Sequence, residues 1–201
     1  MSTKVIGITG GIGSGKSAVL DYIEENFNAR ILKTDEIAHD VMEPGERCYE
    51  ALKRIFPDEV FPDNAPIDRE LMAKAMFSDE SLRQKLNAIV HPAVGEYLKE
   101  ETLKERAQNK FDYVIIESAL YTGGEFALLC DAVWNIHASV SVRTERLKRT
   151  RGYSDEKIRD ILKSQEKNDE LRLTLPVQID NDGDFEATKT QIKNALGGIV
   201  L

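Results

Sequence analysis

Residues 7–20 read GITGGIGSGKSAVL, with glycines at positions 10, 11, 13 and 15 and then Lys16 and Ser17 where a helical pattern begins. Glycine in such density is costly, because each one loses more conformational freedom on folding than any other residue. The chain must therefore need backbone here that is bare and closely curled. Gly10, Gly15, Lys16 and Ser17 satisfy G-x-x-x-x-G-K-[ST], the pattern of a phosphate-binding loop. Without β-carbons, successive N–H groups from Gly11 through Ile12, Gly13, Ser14 and Gly15 can form a nest around an anion. A helix starting near Lys16 points its positive end, and the amides of Ser17 and Ala18, at the same place. Lys16 is then expected to reach the β- and γ-phosphates of a nucleotide, with the Ser17 hydroxyl on Mg²⁺.

The surroundings of this loop set the fold. Short apolar runs at 5–9 (VIGIT), 29–32 (ARIL), 113–117 (YVIIE) and 132–138 (AVWNIHA) read as buried strands, and VQID (177–180) as a fifth. Between them lie segments with apolar residues at helical spacing, such as Val19, Ile23 and Phe27, or Ile158, Ile161 and Leu162. Alternation of this kind predicts an α/β fold, a doubly wound parallel sheet of about five strands. Residues 40–110 read as helical throughout, broken at PDEVFPDNAP (57–66) and at His91-Pro92. We read one domain over 1–201: a nucleotide-binding core of 1–39, 111–142 and 156–201, a helical insertion at 40–110, and a lid at 143–155. The insertion reads either as a substrate-side cover or as a packing layer.

Composition narrows the function. The chain has 201 residues, 41% hydrophobic and 31% charged, which is a globular profile. No apolar run approaches the roughly 20 residues needed to span a membrane, and no signal-peptide pattern precedes the first strand. A cytoplasmic protein is expected. The two cysteines, Cys48 and Cys130, form no CxxC pair and read as free thiols, and the three histidines have no metal-ligand spacing. The net charge of −8 argues against a nucleic-acid surface. Basic residues are nonetheless concentrated in RTERLKRTR (143–151), five of them against one acid. A cationic island on an acidic chain points to a local anion such as a polyphosphate.

Phosphoryl transfer needs an oriented acceptor and electrostatic cover for the moving group. Asp35, closing the second strand in ILKTDEIAH, is placed either to accept a proton from an acceptor hydroxyl or to cap the helix beginning near Glu36. Glu117 ends an apolar strand, as a residue near Mg²⁺ does, and reads equally as a solvated carboxylate. The arginine cluster is expected to close over the phosphates. A regulatory GTPase would bring an N-K-x-D motif, and the chain has none. A small-molecule kinase leads.

The whole chain resembles the dephospho-CoA kinase family. TGGIGSGKS (9–17) is similar to the family's loop, TDEIAHDVMEPG (34–45) to its acidic second-strand motif, and PIDRELMAKAMF (66–77) and LNAIVHP (86–92) to its Asp-Arg and His-Pro segments. ILKSQ (161–165) and IDNDGD (179–184) resemble its closing motifs. The resemblance implies ATP-dependent phosphorylation of the ribose 3′-hydroxyl of dephospho-CoA, with 40–110 as the acceptor-side domain. It implies that Asp35 is the general base and that Thr9, Arg69, Asn87, His91 and Glu117 line the acceptor side, while Asn87 and His91 read equally as helix-terminus hydrogen-bonding groups beside Pro92. Arg146, with Arg149 or Arg151, matches the lid arginines, and Asn181 would lie near the adenine. Lys33 stands where the family has a first acid, and SALYTGG (118–124) puts Ala119 in place of a proline and Gly123 in place of a glutamate, with Glu125 nearby. These departures leave two other readings: a P-loop kinase with another small hydroxyl or nucleoside-like acceptor, or a nucleotide-binding regulatory protein without turnover.

Overall fold

A computed structural model describes residues 2–62, 65–119 and 124–198. Five strands, β1 (Lys4–Thr9), β2 (Ala29–Lys33), β3 (Tyr113–Glu117), β4 (Ala132–His137) and β5 (Val177–Asp180), form one sheet in the order β2-β3-β1-β4-β5. The strands run parallel, as the alternation of strand and helix requires. Ile6 lies opposite Ile115 on β3 and Ala132 on β4. Val5, Ile6, Ile8, Val114, Ile115, Ile116, Trp134 and Ile136 are all buried, which is what a sheet covered on both faces needs. The strand carrying the glycine loop is thus the central one, and its carboxyl end opens between neighbours reached by opposite crossovers.

The helices follow their apolar spacing. In α1 (Lys16–Asn26), Val19, Leu20, Tyr22 and Ile23 are buried; in the C-terminal helix Phe185–Gly198, Thr188, Ile192 and Leu196 are. Cys48 and Cys130 are both free, and burial pushes the Cys130 thiol up to about 12. Among the described residues, no helix is long and apolar enough to cross a membrane.

The chain divides into two compact units, residues 1–32 with 102–201, and residues 33–101. The second unit holds α2 (Thr34–Asp40), α3 (Tyr49–Lys53), a 3-10 turn (Asp58–Val60), α4 (Arg69–Ser78) and most of α5 (Glu80–Gln108). It has its own buried side chains, including Tyr49, Leu52, Phe56, Phe61, Met72 and Val94. Tyr49 and Phe61 meet edge to face with centroids 5.5 Å apart. His91-Pro92 does not separate two helices as the sequence suggests. Pro92 lies inside α5, where it removes one backbone bond without ending the helix. Val90, Ala93, Val94 and Leu98 are buried around it, and this packing carries the helix through the proline.

Candidate active site

The loop between β1 and α1 is built to present amides. Gly15 precedes the helix with φ 91° and ψ 22°, no side chain caps the helix, and no acid occupies its first turn. Orphan N–H groups at a helix start normally take a Ser, Thr, Asp or Asn cap. Here Gly15 holds the cap position and supplies no such acceptor. Ser17 and Ala18 are exposed at this end, whereas Gly11 and Ser14 are buried. The hydroxyls of Thr9 and Ser14 are buried without a hydrogen-bond partner among the described residues. Lys16 Nζ donates to the Gly10 carbonyl at 2.9 Å and stands 3.7 Å from Glu117 Oε1 at the end of β3. The structure thus brings Lys16 and Glu117 together at the sheet's carboxyl edge.

The loop's carbonyls face protein cations. Arg146 lies on α7 (Val140–Arg151), which follows the short helix α6 (Gly124–Leu129), and donates to Gly13 and Ser14 carbonyls at 3.4 and 3.2 Å and to the Asn181 carbonyl at 2.6 Å. Asn181, 3% exposed, donates from Nδ2 to the Ser14 carbonyl at 2.8 Å, and its Oδ1 accepts from Thr188 Oγ1 at 3.0 Å. Its side chain is spent on the loop, not turned outward. Arg149 and Arg151 are exposed near the end of α7, which stops at Gly152 in the left-handed region (φ 62°). The segment read as a lid therefore spans two kinds of arginine, one set built into the loop's support and one set facing solvent.

Gly15 illustrates how tightly the support fits. A Cβ there would stand 2.2 Å from Asn181 Nδ2, in a backbone conformation that L side chains rarely adopt. Gly15→Ala should cost about 2 kcal/mol, which in a chain of this length lowers Tm by about 4–8 °C, and weaken nucleotide binding about tenfold. Thermal scans with and without nucleotide check both.

Further support comes from residues to which the sequence gives no individual role, although Arg143 falls in the basic cluster and Gln165 in ILKSQ. Arg143, 5% exposed, donates to the Ile12 carbonyl, to Gln165 and to Asp169. Asp169 also takes Arg172, which is 1% exposed and donates to the Ala119 carbonyl at 3.0 Å. Burial pushes the Asp169 carboxyl up, but the guanidiniums of Arg143 and Arg172 outweigh it and hold it below the ordinary carboxylate range. Gln165, Asp169 and Arg172 lie on one face of α8 (Asp155–Leu173), at i, i+4 and i+7. That polar stripe, next to an arginine-rich helix, was the signal available. Because Arg172 bonds the backbone of Ala119, a proline at that position would accept the same bond. Gly123 lies outside the described residues.

In the second unit, Asp35 is the second residue of α2 and is exposed. It does not cap that helix: α2 begins at Thr34, earlier than the sequence implies, with Lys33 before it and no side-chain cap bond. A carboxylate in the first turn still suits the helix dipole. Arg69 opens α4 and pairs with Glu43 at 3.1 Å, while Asp68 caps that helix by accepting from the amides of Glu70 and Leu71. Asn87 and His91 are exposed, four residues apart on one face of α5 and away from its ends.

A parallel sheet whose central strand runs into an uncapped glycine loop, followed by Lys16 and Ser17 at a helix start, defines a P-loop kinase fold. Shikimate kinase from Bacteroides thetaiotaomicron shares this fold, with a TM-score of 0.53 at 14% identity over 98% of this chain and 99% of that one. The chain belongs to the dephospho-CoA kinase family, whose sequence model matches residues 4–187. It is 34% identical to the dephospho-CoA kinase of Oceanobacillus iheyensis over 195 residues, 96% of each chain. Identity to that of Moorella thermoacetica is 33% over 192 residues, covering 95% of this chain and 90% of the other. Among solved structures, TT1252 from Thermus thermophilus superposes with a TM-score of 0.76 at 27% identity, over 100% of both chains. Membership agrees with the resemblance carried by the loop and the ordered motifs.

Proposed function

We propose that this chain transfers the γ-phosphoryl group of ATP to the ribose 3′-hydroxyl of dephospho-CoA, giving CoA and ADP. The observation that carries this reading is the uncapped amide loop with Lys16 at its rim, in a chain that matches the family along nearly its whole length. Amides from Gly11 to Ala18 hold the polyphosphate, except those of Ile12 and Ser14, which are engaged by Gln165 and by the Gly11 carbonyl. Lys16 spreads its charge over the outer phosphates, and Arg149, exposed one turn beyond Arg146, adds to it. Arg146 contributes positive potential from behind the loop while holding its carbonyls.

Asp35 accepts the proton of the attacking hydroxyl, its exposed carboxylate being free of any capping bond. Thr9, Glu117, Arg69, Asn87 and His91 complete the acceptor side. The Ser17 hydroxyl and the Glu117 carboxylate are hard oxygen donors of the kind Mg²⁺ selects, and the bound ion would neutralise charge on the transferred group. Free thiols at Cys48 and Cys130 agree with a cytoplasmic location.

Incubation of purified protein with Mg-ATP and dephospho-CoA should release ADP and form CoA in equal amounts, read by chromatography. Phosphorylation of other hydroxyl compounds without CoA would reject the acceptor. ATP uptake with no acceptor-dependent ADP would reject turnover altogether.

A further inference from the structure

Ile12, at the tip of the glycine loop, is held by both of its backbone polar groups. Its N–H donates to Gln165 Oε1 at 3.0 Å, and its carbonyl accepts from Arg143 Nε at 2.8 Å. Arg143 Nη2 donates to the same Gln165 oxygen at 3.1 Å, so the three residues form a closed circuit. A neighbouring strand pairs a residue in this way; here two side chains from α7 and α8 do it. Gly11 lies against the same guanidinium, and a Cβ there would stand 2.4 Å from Arg143 Nη2. Arg143 Nη1 is anchored at 2.8 Å by Asp169, which Arg172 holds in turn. An arginine so fully engaged and buried is not one that swings over a phosphate.

We propose that Arg143 and Gln165 are positioning residues that fix the Ile12 backbone and thereby preorganise the phosphate loop for ATP. The proposal rests on the kinase reading above. The circuit engages the Ile12 amide with Gln165, which takes it out of the set of loop amides left for the anion. A loop without this clamp has to be ordered at the moment of binding, and that cost falls on ATP affinity. The acceptor makes no use of the Ile12 backbone and does not bear it.

The test uses the full chain and three variants. Gln165→Leu keeps the volume and removes the acceptor oxygen; Gln165→Glu keeps an oxygen for both donors; Arg143→Lys keeps the charge and loses the fork. Calorimetry with Mg-ATP alone should show affinity about tenfold weaker in Gln165→Leu and within about threefold of the parent in Gln165→Glu. The KM for ATP should rise with it, while the KM for dephospho-CoA stays within about twofold. Hydrogen exchange should quicken at the loop amides in Gln165→Leu.

Unchanged ATP affinity in a Gln165→Leu protein of parental Tm overturns the proposal, as does an equal loss in Gln165→Glu. If Gln165→Leu does not fold, Arg143→Lys decides the matter by the same ATP measurement, parental affinity overturning the proposal and a comparable loss upholding it. A parent protein that binds Mg-ATP but never converts dephospho-CoA would sink the kinase reading, and calorimetry would still decide the clamp.

Discussion

Lys16→Ala should lower kcat for CoA formation by about 10²–10³-fold, the loss expected when one preorganised charge is taken from a developing anion. The ammonium is poised between the Gly10 carbonyl and Glu117, 15% exposed, so it is already partly desolvated and loses little when it turns to phosphate. Binding should suffer as well. The parent is stabilised by a ligand that binds only the folded state, by about 2.7 kcal/mol at a hundredfold excess over Kd. Most of that thermal shift with Mg-ATP should vanish in the variant, whereas its ligand-free Tm should move much less. A variant that keeps both the parental shift and kcat would remove Lys16 from the reaction.

The sheet was legible because its signal is local. Buried parallel strands need runs such as YVIIE, and β3 occupies the five residues of that run. The loop was legible because its chemistry demands glycines at fixed spacing before a lysine. What the sequence does not carry is the far end of each contact. Arg143 and Arg146 look like their neighbours Arg149 and Arg151 in a string of basic residues. Only the fold turns the first two onto the loop's carbonyls and leaves the others in solvent. Asn181 likewise reads as a residue of a nucleotide motif, and its bond to the Ser14 carbonyl depends on a loop 167 residues away in the chain.

Two local readings failed for a different reason, the override of local preference by packing. Proline predicts a break, yet α5 runs through Pro92 because the apolar residues on either side are buried. Asp next to a helix start predicts a cap, yet α2 gains two residues at its start, Thr34 and Asp35, and leaves Asp35 in the first turn. The second of these matters for chemistry, because it frees a carboxylate from a structural duty.

Asp35→Asn is therefore the sharper probe of mechanism. The amide keeps the shape and removes the basicity, so a group that takes the acceptor's proton should lose about 10²–10⁴-fold in kcat. Structural costs should be small: Asp35 is exposed and caps nothing, and substitutions of that kind change stability by about 0.5 kcal/mol or less. Affinity for Mg-ATP, measured by calorimetry, should stay within about twofold of the parent, since the loop and Lys16 are untouched. The pairing of a large kcat loss with intact ATP binding and Tm separates proton acceptance from both folding and nucleotide capture. An unchanged kcat would reduce Asp35 to a favourable charge in the first turn of α2, and the base would have to be sought among the other acceptor-side residues.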